Sequence, residues 1–295
     1  MFNFKVESRK TGAGALSPAR GTRNIEPGTR NARTRARGVT LLEMIMVIVI
    51  TGIIGVAIAL FVRQPVESYV DAARRAELTD IADTALRRIT RDLRTALPNS
   101  VRVDGTGKYI EYLQTGGGGR YRAEKDSGGL GETLDFATAD TLFDVIGPMP
   151  SLAAGDQIVV YNLGPGSGVT DAYTGGNRTA FSSVSAPTVT IAAKQFPFAS
   201  PGKRFQVVQY PVTYACEAGV LRRYWGYAIS AAQPVPPVGG NSALLATNVN
   251  DATCKFSYTT GGAGQRTGVV SLSMQVEQAG EKVQLFQQVH INNVP

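Results

Sequence analysis

The sequence has few of the residues on which enzymatic catalysis and metal binding usually depend. His290 is its only histidine and lies in a predicted strand near the C-terminus, so a histidine triad or a histidine-containing zinc site would depend on this one residue. The sequence contains no Gly-x-Ser-x-Gly motif, no phosphate-binding-loop lysine and no cysteine pair at metal-binding spacing. We therefore expect a protein that is not an enzyme and that needs no cofactor or metal.

Charge is almost absent from one long segment. Residues 39–62 contain no Lys, Arg, Asp, His or Pro, and Glu43 is their only charged side chain. A helix of this length would span about 36 Å, which is enough to cross a bilayer. A carboxylate inside such a span is costly and marks a functional position by default, so Glu43 is a candidate site residue.

The basic residues are concentrated before this span. Residues 1–38 hold nine of the 30 Lys and Arg residues and two of the 23 Asp and Glu residues, which leaves 21 of each from Val39 onward. Without residues 1–38 the chain is formally neutral, so we expect no nucleic-acid partner. The basic leader places residues 1–38 in the cytoplasm and everything after Val62 across the membrane.

The span does not resemble an ordinary secretory signal. It is longer than a signal-peptide core, and Arg63-Gln64-Pro65 offers no small-residue cleavage site on its far side. A cut after Gly38 would instead remove the leader and keep the apolar helix. Residues 1–36 have few large apolar side chains and are predicted to be disordered.

Beyond the span, the pattern predicts two further regions. Residues 63–97 continue the helix in amphipathic form, with apolar residues from Val66 and Tyr69 onward at helical spacing, a kink at Pro65 and a stop at Pro98. Residues 98–295 form a globular head rich in β-strand. The predicted fold class is α+β, with a long N-terminal helix and a head built on antiparallel sheet.

Short runs of β-branched and aromatic residues predict the strands of the head. Two hairpins are expected, with turns at Glu217-Ala218-Gly219 and at Gln278-Ala279-Gly280-Glu281. The glycine-rich segments 116–119 and 164–176 are predicted to be loops that add little to a core. The candidate strands are Tyr109–Leu113, Gln157–Asn162, Thr188–Ile191, Arg204–Tyr214, Val220–Tyr227, Lys255–Tyr258, Val269–Val276 and Val283–Ile291.

The two cysteines, Cys216 and Cys254, both lie in the exported part, where oxidising conditions favour a disulfide. A bridge of this span would stabilise the head by roughly 3 to 4 kcal/mol in the chain-entropy model. Two buried free thiols are the alternative.

Three other groups have both a structural and a functional interpretation. The basic run of Arg87, Arg88, Arg91 and Arg94, interleaved with Asp83 and Asp92, could contact DNA or anionic lipid but is more often a solvated helix face. Tyr224, Trp225 and Tyr227 could form a ligand platform but more often fill and cover a core. Asp171 lacks the clustered acids that a calcium site requires.

The segment Gly38-Val39-Thr40-Leu41-Leu42-Glu43, after a basic leader and before an apolar helix, resembles the class III signal of type IV prepilins and type II secretion pseudopilins. The resemblance implies that prepilin peptidase cuts between Gly38 and Val39 and that Val39 is then N-methylated. It also implies that Glu43 pairs with the terminal amine of a neighbouring subunit during assembly. Val39 stands where Phe is usual in the family.

Several later segments resemble the MshO family of minor prepilins from MSHA-type pili. The resemblance implies a minor subunit at or near the tip of a filament, with other pilins and the inner membrane of a Gram-negative bacterium as partners and the head first in the periplasm, then at the cell surface. A J-type minor pseudopilin of type II secretion is the alternative, and a membrane-anchored periplasmic binding protein or enzyme is a second one. The segments are 77–88, 96–102, Cys216 with 221–224, 254–258 and 290–295.

Overall fold

The computed structural model describes residues 38–260 and 266–295, so the predicted disorder of residues 1–36 lies outside the described residues. The chain divides into two units, residues 1–60 and 61–295. One long helix, α1 (Leu41–Leu93), precedes twelve strands. The strands are β1 (Arg102–Val103), β2 (Tyr109–Tyr121), β3 (Asp140–Ile146), β4 (Gln157–Val160), β5 (Arg178–Ser185), β6 (Thr188–Lys194), β7 (Arg204–Glu217), β8 (Val220–Trp225), β9 (Asn241–Ala246), β10 (Lys255–Thr260), β11 (Thr267–Gln278) and β12 (Glu281–Asn292).

The first part of α1, up to Leu60, is apolar on every side and exposed along its whole length. By length and composition it can cross a membrane, and none of its most apolar stretch is buried within the protein. A helix with no polar face needs lipid or other apolar helices around it, as a membrane span does. The predicted interruption at Pro65 does not end the helix, which continues to Leu93.

The second part of α1 supplies one side of the core of the head. Its buried residues recur at helical spacing, which places them on one face of the helix. The predicted apolar face is wrong at its start, because Val66 and Tyr69 are 55% and 76% exposed. The buried stripe begins only at Leu78 and comprises Leu78, Ala82, Ala85, Leu86, Ile89 and Leu93.

The helix also ends earlier than the sequence predicts, at Leu93 instead of Leu97. The N–H of Thr95 donates to the carbonyl of Asp92, which tightens the last turn. The next residues join the sheet, since Ala96 bridges to Gln114 and the N–H of Leu97 donates to the carbonyl of Leu113 at 2.8 Å. Pairing with β2 therefore competes with the last helical turn and replaces it.

The larger sheet closes on itself. Six antiparallel strands pair in the cyclic order β2, β3, β6, β5, β4 and β7, and β7 pairs again with β2. The ring is filled by a cluster that includes Tyr121, Phe143, Phe196 and Phe205. Each strand of the ring therefore has a neighbouring strand on both sides. Strand β1 extends it beside β2, and β8 and β9 extend it beside β7.

The second sheet has three antiparallel strands in the order β10, β11, β12. Its inner face shares one core with the buried stripe of α1 and with parts of β2, β7 and β8. Both predicted hairpins are confirmed. Ala218-Gly219 joins β7 to β8 and Ala279-Gly280 joins β11 to β12, each with positive φ at both turn residues, as tight two-residue hairpins require.

Two predictions about glycine-rich segments are wrong. Gly116–Gly119 is part of β2, and its last three glycines pair with β7. The close approach of β7 requires glycine there, since a Cβ on Gly118 would lie 2.7 Å from the carbonyl oxygen of Phe205. The segment 164–176 has little regular structure, as expected, but it buries Ala172 and Tyr173 in a third apolar cluster. Both segments therefore contribute to the packing of the head.

Candidate processing and assembly site

The bond between Gly38 and Val39 lies in open backbone. Residues Gly38, Val39 and Thr40 have no regular secondary structure and all three are exposed. A Cβ placed on Gly38 would have no atom within 4 Å. Peptidases cut backbone that is accessible and outside helices and sheets, so the geometry suits cleavage at this bond.

Thr40 caps the helix that follows. Its carbonyl accepts from the N–H of Met44 at 3.1 Å, and its hydroxyl oxygen accepts from the N–H of Glu43 at 3.3 Å. Thr-x-x-Glu is the spacing of a capping box, in which the first side chain satisfies a free N–H of the first turn. A cut between Gly38 and Val39 would therefore leave the cap of α1 intact and place the new amine just outside it.

Glu43 lies in the first turn of α1, four residues after Val39, with its side chain exposed. A carboxylate in this position is favoured by the helix dipole, which is positive at the N-terminus. None of the salt bridges within residues 38–260 and 266–295 involves Glu43. The group is therefore positioned to accept a cation that the described part of the chain does not supply.

A family model for the prokaryotic N-terminal methylation motif matches residues 33–59. The chain carries a type IV pilin-like N-terminus. The motif indicates a type IV pilin-like or pseudopilin-like protein, and it implies processing by prepilin peptidase and assembly with other pilins. Together with the apolar helix it indicates membrane anchoring. No curated protein and no solved structure matches the chain.

A buried ion pair that the sequence analysis missed joins the pilin-like helix to the sheet. The Asp92 carboxylate accepts from Nε of Arg223 at 3.0 Å and from the hydroxyl of Tyr214 at 2.6 Å. The side chains of Asp92 and Arg223 are only 16% and 8% exposed. Burial and the bond to Asp92 raise the pKa of Tyr214 well above its ordinary value. The prediction that Asp92 belongs to a solvated helix face is therefore wrong, because it faces β7 and β8.

A second buried charge lies inside the head. The fully buried Glu111 accepts from Nε of Arg102 at 2.7 Å and from the hydroxyl of Tyr227 at 3.0 Å. Burial raises the pKa of Glu111, and the bonds from Arg102 and Tyr227 oppose this rise. The guanidinium of Arg102 also stacks 3.6 Å from the ring centre of Tyr173. These groups satisfy one another, as buried polar groups must, and they leave no open site.

The aromatic residues of β8 and its following turn fill and cover the core. Tyr227 is buried, whereas Tyr224 and Trp225 are half-buried. The guanidinium of Arg223 lies 4.7 Å from the ring centre of Trp225. This arrangement agrees with the structural interpretation of these residues.

The other candidate residues are either exposed or brace a loop. Arg87, Arg88, Arg91 and Arg94 are exposed, and Arg87 pairs with Asp83 at 2.6 Å one turn away. The Asp171 carboxylate accepts from the N–H groups of Gly166 and Tyr173 and so braces its own loop. His290 is exposed on β12. In the described part of the chain, no three His, Cys, Asp or Glu residues are grouped so that they could hold a metal ion.

The structure joins Cys216, at the end of β7, to Cys254, just before β10. Both residues are buried, and their bond links the closed sheet to the three-stranded sheet. We expect the double variant Cys216→Ala, Cys254→Ala to lose about 3 to 4 kcal/mol of unfolding free energy, because the unfolded chain loses its cross-link. Urea unfolding of the detergent-solubilised protein, followed by Trp225 fluorescence, measures the loss. An unchanged midpoint would contradict a stabilising bridge.

Two tyrosines share the Glu217 carboxylate at the β7–β8 hairpin. Tyr109 donates to it at 2.8 Å, and Tyr224 donates to its other oxygen. Burial and this carboxylate raise the pKa of Tyr109 to about 12 and the pKa of Tyr224 to about 12, from an ordinary value of 10.0. Because the folded-state pKa values are raised, the hairpin should keep its full stability below pH 10.0 and lose it as the pH rises to about 12.

Difference titration of tyrosinate absorbance tests this expectation. Glu217→Gln should shift two tyrosines toward lower pKa and weaken the dependence of unfolding on alkaline pH. Asp126→Asn serves as the control, since Asp126 lies in an exposed turn with no tyrosine partner among its hydrogen bonds. Identical titration curves for the wild type and Glu217→Gln would contradict the assignment.

Proposed function

We propose that this protein is a minor pilin-type structural subunit of a type IV pilus of the MSHA kind. One observation supports the proposal: the Gly38–Val39 bond lies within the segment that matches the methylation motif, in open backbone directly before a capped, apolar and exposed helix. A signal-anchor helix needs no such arrangement at its N-terminal end. A membrane-anchored enzyme would also keep its leader.

The physical mechanism couples processing to assembly. Cleavage after Gly38 creates an α-amine on Val39, which is N-methylated and remains a cation. The amine of one subunit then pairs with Glu43 of its neighbour in the apolar filament core. Each charge offsets the cost of burying the other, and either one alone would be strongly destabilising. The apolar helix exchanges lipid contacts for contacts with neighbouring helices.

The role as a minor subunit near the filament tip rests on the resemblance to MSHA-type minor prepilins. The head, a closed sheet plus a three-stranded sheet on α1, supports a structural role rather than a catalytic one, because its buried charges pair with one another instead of lining an open pocket. The methylation motif is shared with the pseudopilins of type II secretion. Host cells that lack this protein would distinguish the two. Loss of pili with normal secretion of type II substrates would favour the pilus.

The deciding experiment is the intact mass of the protein from host cells with and without prepilin peptidase. We expect peptidase-dependent loss of residues 1–38 and the addition of one methyl group at Val39. An uncut leader, or a cut beyond Val62, would overturn the proposal in favour of an anchored or secreted protein.

A further inference from the structure

Strand β12 has a free edge. It pairs with β11 at all twelve of its positions, from Glu281 to Asn292, without an interruption in register. No other strand among the described residues pairs with it. One side of its backbone therefore presents a row of N–H and C=O groups that lack strand partners, about 40 Å long at the usual rise.

Beyond Lys282, none of the usual features protects this edge. Proteins block free edges with charged residues, proline, bulges or very short strands. Residues 283–292 contain no Asp, Glu, Lys, Arg or Pro, and the pairing with β11 has no bulge. Phe286, near the middle of the strand, is 63% exposed. By contrast, each of the six strands of the closed sheet pairs with at least two other strands.

The direction of β12 restricts what can cover it. At its start, Glu281 accepts from Arg75 of α1 at 2.8 Å. Just past its end, the side-chain oxygen of Asn293 accepts from the N–H of Asn99, six residues beyond the helix. Strand β12 therefore runs in the same direction as the helical segment that packs on it.

Two copies related by a two-fold axis would pair their β12 strands antiparallel. The helical segments of the two heads would then point in opposite directions. Neighbouring subunits of the filament proposed above are related by a screw operation, which keeps their heads in one orientation. Two-fold pairing through β12 is therefore incompatible with that filament, whereas a neighbour with the same orientation is compatible.

We propose that β12 accepts an extended strand from a neighbouring pilin-type subunit of the same filament, which continues the three-stranded sheet across the subunit boundary. The identity of this partner rests on the function proposed above. Only another strand can satisfy a row of backbone donors and acceptors in register. Phe286 packs against a side chain of the incoming strand on the outer face of the sheet.

Crosslinking in the host cell tests the contact directly. The photoreactive residue p-benzoyl-phenylalanine replaces Phe286 in the full-length protein, and a matched protein carries it at Phe198, which is 54% exposed and lies outside β12. We expect illumination to join position 286, but not position 198, to another pilin-type subunit identified by mass spectrometry. Crosslinks between two copies at Phe286 itself would contradict the argument from strand direction.

Charge placed on the edge provides a second test. The triple variant Gln284→Lys, Phe286→Lys, Gln288→Lys changes exposed side chains and should keep the thermal unfolding midpoint while losing incorporation into filaments. Ser271→Lys is the control, because Ser271 lies opposite Gln288 on the central strand β11. It should be incorporated normally.

The outcomes separate the two proposals. If prepilin peptidase does not cut the wild-type leader, the proposed function fails. If the protein is cut and incorporated, but position 286 gives no crosslink and the triple variant assembles normally, the strand-addition proposal fails by itself.

Discussion

Replacing Glu43 with Gln should leave the leader cleaved but keep the mature protein out of the filament. Gln has the length, helix propensity and hydrogen-bonding capacity of Glu, so the first turn of α1 and its Thr40 cap should persist. The variant removes only the negative charge. The amine of a neighbouring Val39 would then enter the filament core without a counter-ion, which costs several kcal/mol.

The expected effect is loss of the mature protein from sheared filaments, with its membrane level maintained. Quantitative immunoblotting of filament and membrane fractions measures both, and the intact mass shows whether residues 1–38 were removed. Glu43→Ala should give the same result. Normal incorporation of both variants would refute the pairing argument.

Glu67→Gln is a suitable control. Glu67 is an exposed acid on the same helix, paired with Arg63 one turn away, and it lies outside the methylation motif. An exposed pair of this kind contributes little to stability. The control should therefore be processed and incorporated like the wild type, which would assign the Glu43 effect to position and not to charge alone.

The N-terminal region could be predicted from the sequence because its signals are local. The span and the position of Glu43 both lie within one continuous segment, and each follows from composition or spacing. The two Ala-Gly hairpins were also predictable, since the turn itself demands positive φ. Local chemistry decides these features before any long-range contact forms.

The closure of the larger sheet could not be predicted, because it depends on pairings between distant segments. The predicted strands omit β1, β3, β5 and β9. Strand β1 has only two residues, and β5 and β9 are mostly exposed, with β5 rich in Ser, so neither of these two has a clear apolar alternation. The run Gly116–Gly119 has the composition of a loop, and only the close approach of Phe205 explains why glycine is needed there. The Asp92–Arg223 pair joins residues 131 positions apart, a separation at which sequence spacing predicts nothing.

Breaking this buried pair should destabilise the head more than any exposed ion pair on α1. In Asp92→Asn, the amide oxygen can still accept a hydrogen bond from Arg223, but the guanidinium loses its counter-charge in a site that is nearly closed to solvent. The variant should lose about 3 to 5 kcal/mol of unfolding free energy, as expected when one member of a buried pair is removed. Asp83→Asn, which breaks the exposed pair with Arg87, should lose less than about 1 kcal/mol.

A double-mutant cycle decides whether the pair itself is responsible. Arg223→Met should also be strongly destabilised, because Asp92 would keep only the Tyr214 hydroxyl among the partners it has now. The double variant Asp92→Asn, Arg223→Met leaves no unpaired charge and should recover much of the loss, so that the two single effects are far from additive. Urea unfolding followed by circular dichroism is the appropriate measurement, since Arg223 contacts Trp225 and would alter its fluorescence directly. Additive losses would mean that each side chain acts through its own packing, and that α1 is held to the sheet by its apolar stripe alone.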